Sequence, residues 1–180
     1  MKQLKLVVIA LVLSISETNA QSYLSPEPVD AGSNEVSEFL LGNWREQKNM
    51  DAGQTFQVFK NPNVTGHINI VPGIGAMIPA ILSTAGPYTY LSVYEAGGKE
   101  RPEGYYIFRL EQKSNAEIRL VPLRQDLKKP EGETLKHFLA NADTKDIDAE
   151  HALWFSHTFY QKKEPLDMTG REINITKKER

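Results

Sequence analysis

The stretch Phe39-Leu40-Leu41-Gly42-Asn43-Trp44-Arg45-Glu46 decides the fold. Val36, Phe39 and Leu40 stand at i, i+3 and i+4, so they share one face of a short helix from Glu35 to Leu41 that Ser33 or Asn34 can cap. Gly42 tolerates the left-handed backbone that ends such a turn. From Trp44 the apolar spacing changes to alternation, the mark of a half-buried strand. A helical turn, a glycine and a tryptophan opening a strand therefore mark the start of a β-rich domain.

What precedes that stretch reads as targeting sequence. Lys2 and Lys5 form a positive n-region, Leu6 to Leu13 is an unbroken apolar run, and Thr18-Asn19-Ala20 ends in a small residue suited to cleavage before Gln21. The run is too short to span a bilayer, which takes roughly 20 apolar residues. Residues 1–20 are expected to be a signal peptide of a secreted or periplasmic protein, with no lipid anchor because no cysteine follows. Residues 21–34, rich in Pro, Ser, Gly and acids, are expected to be a flexible leader, and 35–180 one domain. The whole chain carries a net charge of −2, and removing Lys2, Lys5 and Glu17 makes it one unit more negative. Such a balance offers no basic footprint for nucleic acid. With no cysteine there is no disulfide framework, so the core alone must hold the fold. Asn63 and Asn174 open Asn-x-Thr sequons that matter only in a eukaryotic host.

Outward from Trp44, strand patterns recur at Asn43–Lys48, Gln54–Lys60, Gly66–Val71, Tyr88–Glu95, Tyr105–Glu111, Glu117–Pro122, Ala152–Gln161 and Arg171–Lys177. Asn61-Pro62-Asn63 separates the second from the third. Tyr105–Glu111 and Glu117–Pro122 form the clearest hairpin, with Leu110 expected against Ile118 and Phe108 against Leu120. Arg109, Glu111, Glu117 and Arg119 then share its wet face. Leu135, Phe138, Leu139 and Ala142 give one amphipathic helix. Residues 71–87 are apolar and uncharged yet hold three prolines and three glycines. The spacing predicts a helical turn at 76–82 within a loop that is either buried or a lid over a cavity. Met77 and Ile78 would touch ligand or make transient contact with a membrane. Regular strands with turn signals predict an all-β antiparallel sandwich or barrel.

The apolar turn followed by Gly42-Asn43-Trp44 resembles the signature of the lipocalin-like (calycin) superfamily. The resemblance implies an up-and-down β-barrel whose tryptophan plugs one end beneath a basic residue of the last strand, here Lys177 or Lys178, with Lys162 second. It implies that Trp44 closes the barrel without touching ligand. The family's Thr-Asp-Tyr-type motif and disulfide are lacking.

Catalytic and metal chemistry finds little support. Ser156 and His157 are adjacent on a strand and point to opposite faces, so they cannot act as nucleophile and base. His67, His137, His151 and His157 lack metal spacing, and Asp143, Asp146, Asp148 and Glu150 lack the glycine of a calcium loop. Gly73-Ile74-Gly75 lacks the third glycine of a dinucleotide site. No cofactor is expected. The remaining candidates are cavity-lining aromatics: Phe56, Tyr88, Tyr90, Tyr106, Phe108, Trp154 and Phe159, besides Trp44. The expected function is binding or carrying a small hydrophobic molecule. The alternatives are a pigment-handling enzyme of the chromophore-lyase type, which the arginine-bearing hairpin loosely resembles, and a structural or partner-binding exported domain with a filled core.

Overall fold

Alternation of apolar and polar residues demands a sheet with one buried face, and closing that sheet removes its edges. The computed structural model describes residues 23–30, 36, 38–47, 55–72, 77–97, 102–143 and 146–158. A two-residue strand β1 (Leu24–Ser25) and a single 3-10 turn (Glu38–Leu40) come first. Then follow β2 (Gly42–Glu46), β3 (Thr55–Lys60), β4 (His67–Pro72), β5 (Ile78–Ala85), β6 (Tyr88–Glu95), β7 (Gly104–Ser114) and β8 (Glu117–Pro122). A short helix α1 (Leu135–Ala140) and β9 (Leu153–His157) complete the described elements. Strands β2 to β8 pair antiparallel with their sequence neighbours, and β9 joins β8 to β2. The result is an all-β, closed, up-and-down barrel of eight strands, with β1 as a ninth outside the ring.

Most expected strands are present, and the differences are informative. Residues 78–85, expected within a loop with a helical turn, form β5 in the barrel wall. Pro79 fits because the β5–β6 register begins one residue later, at Ala80↔Val93, so its missing N–H removes no bond there. The β7–β8 hairpin pairs Leu110 with Leu120 and Phe108 with Pro122, two residues from the expected register. Its ladder runs on to Ser114↔Glu117 through a bulge at Lys113, leaving a tighter turn at Asn115-Ala116. A slip of two leaves every side chain on its expected face. The expected strand Arg171–Lys177 and residue Phe159 lie outside the described residues.

Two apolar layers hold this architecture. The inner one fills the barrel, from Trp44, Phe56 and Val58 round to Ile118, Leu120 and Phe155. The second covers the outside of β5 to β8, where Tyr90, Ile107 and Val121 pack under Leu135 and Leu139 of α1 and under Val29. Thr134 caps α1 by accepting from the His137 N–H at 3.2 Å. Residues 21–34, expected as a flexible leader, include a docked segment. β1 pairs with Tyr105 and Tyr106, beyond the point where β8 stops at Phe108↔Pro122. The Val29 N–H donates to the Ser92 hydroxyl at 3.2 Å. A Cβ on Gly104 would lie 2.6 Å from the Ser25 carbonyl oxygen, so β1 needs glycine there.

Tyr90 is fully buried in this outer layer, its hydroxyl donating to the Leu139 carbonyl at 3.3 Å. Burial pushes its pKa up to about 12, with Arg109 opposing the shift. The folded state therefore holds the phenolic proton more tightly than the unfolded chain. Between pH of about 10 and 12 the unfolded state ionises first, and folding stability falls as pH rises. Denaturant titrations should show wild type losing roughly 2–3 kcal/mol more than Tyr90→Phe across that interval. Parallel curves would show that Tyr90 does not titrate late.

Candidate functional site

Among the described residues, the inward face of the barrel lines an apolar cavity in which the centres of water-sized spheres have about 30 Å³. Leu40 and Trp44 line it at the end carrying the 3-10 turn; Phe56, Val58, Ile68 and Ile70 line it from β3 and β4. Leu82, Leu91, Val93, Phe108 and Leu110 continue round β5 to β7, and Ile118, Leu120, Leu153 and Phe155 close the circuit. Every one of these side chains is hydrocarbon or aromatic. The Phe56 and Phe155 rings meet edge to face with centroids 4.9 Å apart, which bridges β3 to β9 across the interior.

Trp44 is completely buried, and its indole N–H donates to the Leu40 carbonyl at 2.9 Å. The bond ties the plugging turn to the first barrel strand. The ring is covered by His157, centroid to centroid 4.8 Å and tilted 69°. The Nε2 of His157 bonds the Leu41 carbonyl at 3.1 Å, so this nitrogen carries the proton as donor. Lys177, Lys178 and Lys162, expected over the indole, lie outside the described residues. Gly42 has φ +117°, and a Cβ there would come within 2.8 Å of His157 Nε2. The glycine of the motif thus makes room for the imidazole. Trp44 also forms part of the cavity wall.

The other sequence candidates separate by face. Phe56 and Phe108 line the cavity as expected. Tyr106 packs against the barrel core without lining the cavity. Ile78 is buried in the same core, and Met77 is 60% exposed at the start of β5. A lid made of both is therefore replaced by wall and rim: aspartate at Ile78 would disrupt the core. Tyr88 and Tyr90 belong to the outer layer, because their strand buries both faces and the aromatic alternation marks the outer one. Trp154 also faces outward, 40% exposed, with the Arg119 guanidinium 5.2 Å and the Lys113 ammonium 6.0 Å from its ring.

That outer face carries a charge cluster around Glu111, which receives Arg109 at 2.5 Å, Lys113 at 2.7 Å and Arg119 at 3.4 Å. Burial alone would raise the Glu111 pKa, but hydrogen bonds from Lys113 and Arg109 outweigh it and hold the pKa below the usual value. Arg109 also sits over Tyr88 at 4.8 Å, and Arg119 donates to the Ala149 carbonyl at 2.9 Å. The cluster fastens β7, β8 and the segment before β9 together. Ser156 faces this side, accepting from Gln47 at 2.7 Å, while His157 faces Trp44.

Sequence reasoning missed Glu46. It follows Trp44 by two residues and so shares the inward face, and it is only 6% exposed. The alternation Trp44, Arg45, Glu46 carries that signal. Against protein-family models, curated proteins and solved structures, the chain has no match.

Removing the plug should be costly. Trp44→Ala is expected to lose about 3–5 kcal/mol in denaturant unfolding, since it empties the largest fully buried side chain. Gly42→Ala should also destabilise through strain and the clash with His157. In the Gly42→Ala, His157→Ala double variant the clash is gone, so the glycine substitution should cost less there than in wild type. Equal costs in both backgrounds would separate Gly42 from the imidazole.

Proposed function

We propose that this chain is an exported, lipocalin-like binding protein whose barrel takes a small apolar molecule or the end of an apolar chain. The observation that carries this reading is the apolar lining of a cavity inside a closed barrel. Apolar cavities of this kind stay dry and admit apolar guests. The Gly42-Asn43-Trp44 turn and the strand layout support the lipocalin-like assignment, and the n-region and apolar run of residues 1–20 support export. The small volume limits the guest to modest size. The same smallness favours a second reading, a structural exported domain whose core is simply filled.

Octanol provides the test. The chain has two tryptophans, and Trp154 faces outward, so Trp154→Phe leaves Trp44 as the sole emitter at the cavity wall. Octanol should change that emission saturably. Val93→Phe, which fills the cavity, should weaken the binding about tenfold or more, a loss of ~1.4 kcal/mol or greater. No saturable change in either protein would leave the filled-core reading. Export has its own check: the N-terminus of the protein recovered outside the cytoplasm should be Gln21.

A further inference from the structure

The outside of the barrel changes character around its circumference. Strands β5 to β8 lie under α1 and Val29, and β7 to β9 carry the ion pairs around Glu111. The outer face of β3, β4 and the start of β5 lies outside both sectors. Four large hydrophobic side chains are exposed among the described residues, and three of them stand here: Phe59 on β3, Val64 in the β3–β4 turn and Met77 just before β5. The fourth, Trp154, is stacked by Arg119. Residues that alternate with the buried Phe56, Val58, Ile68, Ile70 and Ile78 face outward on these strands, and none of them is Asp, Glu, Lys or Arg. Asn69 stands at the centre, with the exposed Phe59 opposite it on β3 and the exposed Pro79 opposite it on β5. Gln57 and Val71 form the next row away from the plugged end, and His67 lies at the margin opposite Ile81.

We propose that this face pairs with the same face of a second copy of the chain, about a two-fold axis that passes close to Asn69. In a two-fold pair each residue near the axis meets its own copy. Identical charges would repel there, whereas a carboxamide both donates and accepts hydrogen bonds and so complements itself. Asn69 and Gln57 supply such amides, and Phe59, Val71, Met77 and Pro79 supply apolar surface that is indifferent to the sign of its partner. The composition is that of an interface core, depleted of charge and enriched in aromatic and Met side chains. The net negative charge of the chain resides on other faces, so it does not oppose contact at this one. Size sets the strength of the pairing. Strands β3 and β4 are six residues long, and three neighbouring strands of that length cover less than the about 800 Å² per partner of a standard interface. The dimer is therefore reversible, with a dissociation constant above about 1 μM. This pairing is independent of what the cavity holds.

Analytical ultracentrifugation of the mature full-length protein tests the pairing. The mass should rise from one copy toward two between about 1 and 500 μM. Phe59→Asp, at an exposed position, should weaken association about tenfold or more. Asn69→Lys and Asn69→Glu should each abolish it, because like charges then meet at the axis. An equimolar mixture of those two variants should restore the two-copy mass, because opposite charges then meet. A wild-type mass that stays at one copy throughout would overturn the proposal. So would a dimer that both Asn69 variants leave intact, and a mixture that fails to reassociate would overturn the axis at Asn69. Sedimentation of one-copy protein with neutral phosphatidylcholine vesicles would overturn it in favour of a lipid surface. The wild-type concentration series decides the matter even if a variant fails to fold.

Discussion

The fold depends on closure of the sheet between β2 and β9. An open antiparallel sheet of this size would expose two edges with unpaired N–H and C=O groups. Here β9 fills the gap, pairing with β8 through Glu117↔Ser156 to Leu120↔Leu153 and with β2 through Trp44↔His157 to Glu46↔Phe155. The last residue of this strand, His157, is the one that covers Trp44, so backbone closure and end-plugging share a residue pair. The plug in turn depends on Gly42, whose missing Cβ admits the imidazole, and on the indole bond to Leu40. Strand pairing, a turn, a glycine and two rings form one cooperative unit, and the barrel is a closed object only when all of them are in place.

Closure leaves the outside of the barrel as a second problem. Strands β5 to β8 carry apolar residues on their outer face too, including Ile107, Val121 and Tyr90. The chain covers them with α1, with Leu123 and Ile147 joined in an isolated bridge, and with Val29 beside β1. The segments between and before the barrel strands are thus a partial outer layer. Tyr90 shows how firmly it packs, with no exposed surface and a phenol bonded to the end of α1. On the neighbouring patch, Arg109, Lys113 and Arg119 around Glu111 replace apolar cover with ion pairs and cation–aromatic stacking over Tyr88 and Trp154.

Particular residues show how far the sequence could be read. Period-two alternation placed seven of the eight barrel strands, because it is a local property of half-buried strands. It misplaced β5, since Ile78 to Ala85 is apolar on both faces and opens beside Pro79. A strand buried on both sides loses the alternation that would reveal it, and proline argues for a loop. The same two-sided burial misassigned Tyr88 and Tyr90. Their faces were read correctly, but nothing local says which face looks inward once an outer layer exists. The β7–β8 register differs by two because the turn lies at Asn115-Ala116, three off the expected pairing, and the bulge at Lys113 takes one residue back. Phe56 was legible as lining because it stands between Thr55 and Gln57, and Phe108 because Arg109 and Glu111 mark the opposite face of its strand. The basic cover expected for Trp44 falls outside the described residues; His157, seen only as one of four scattered histidines, takes the contact.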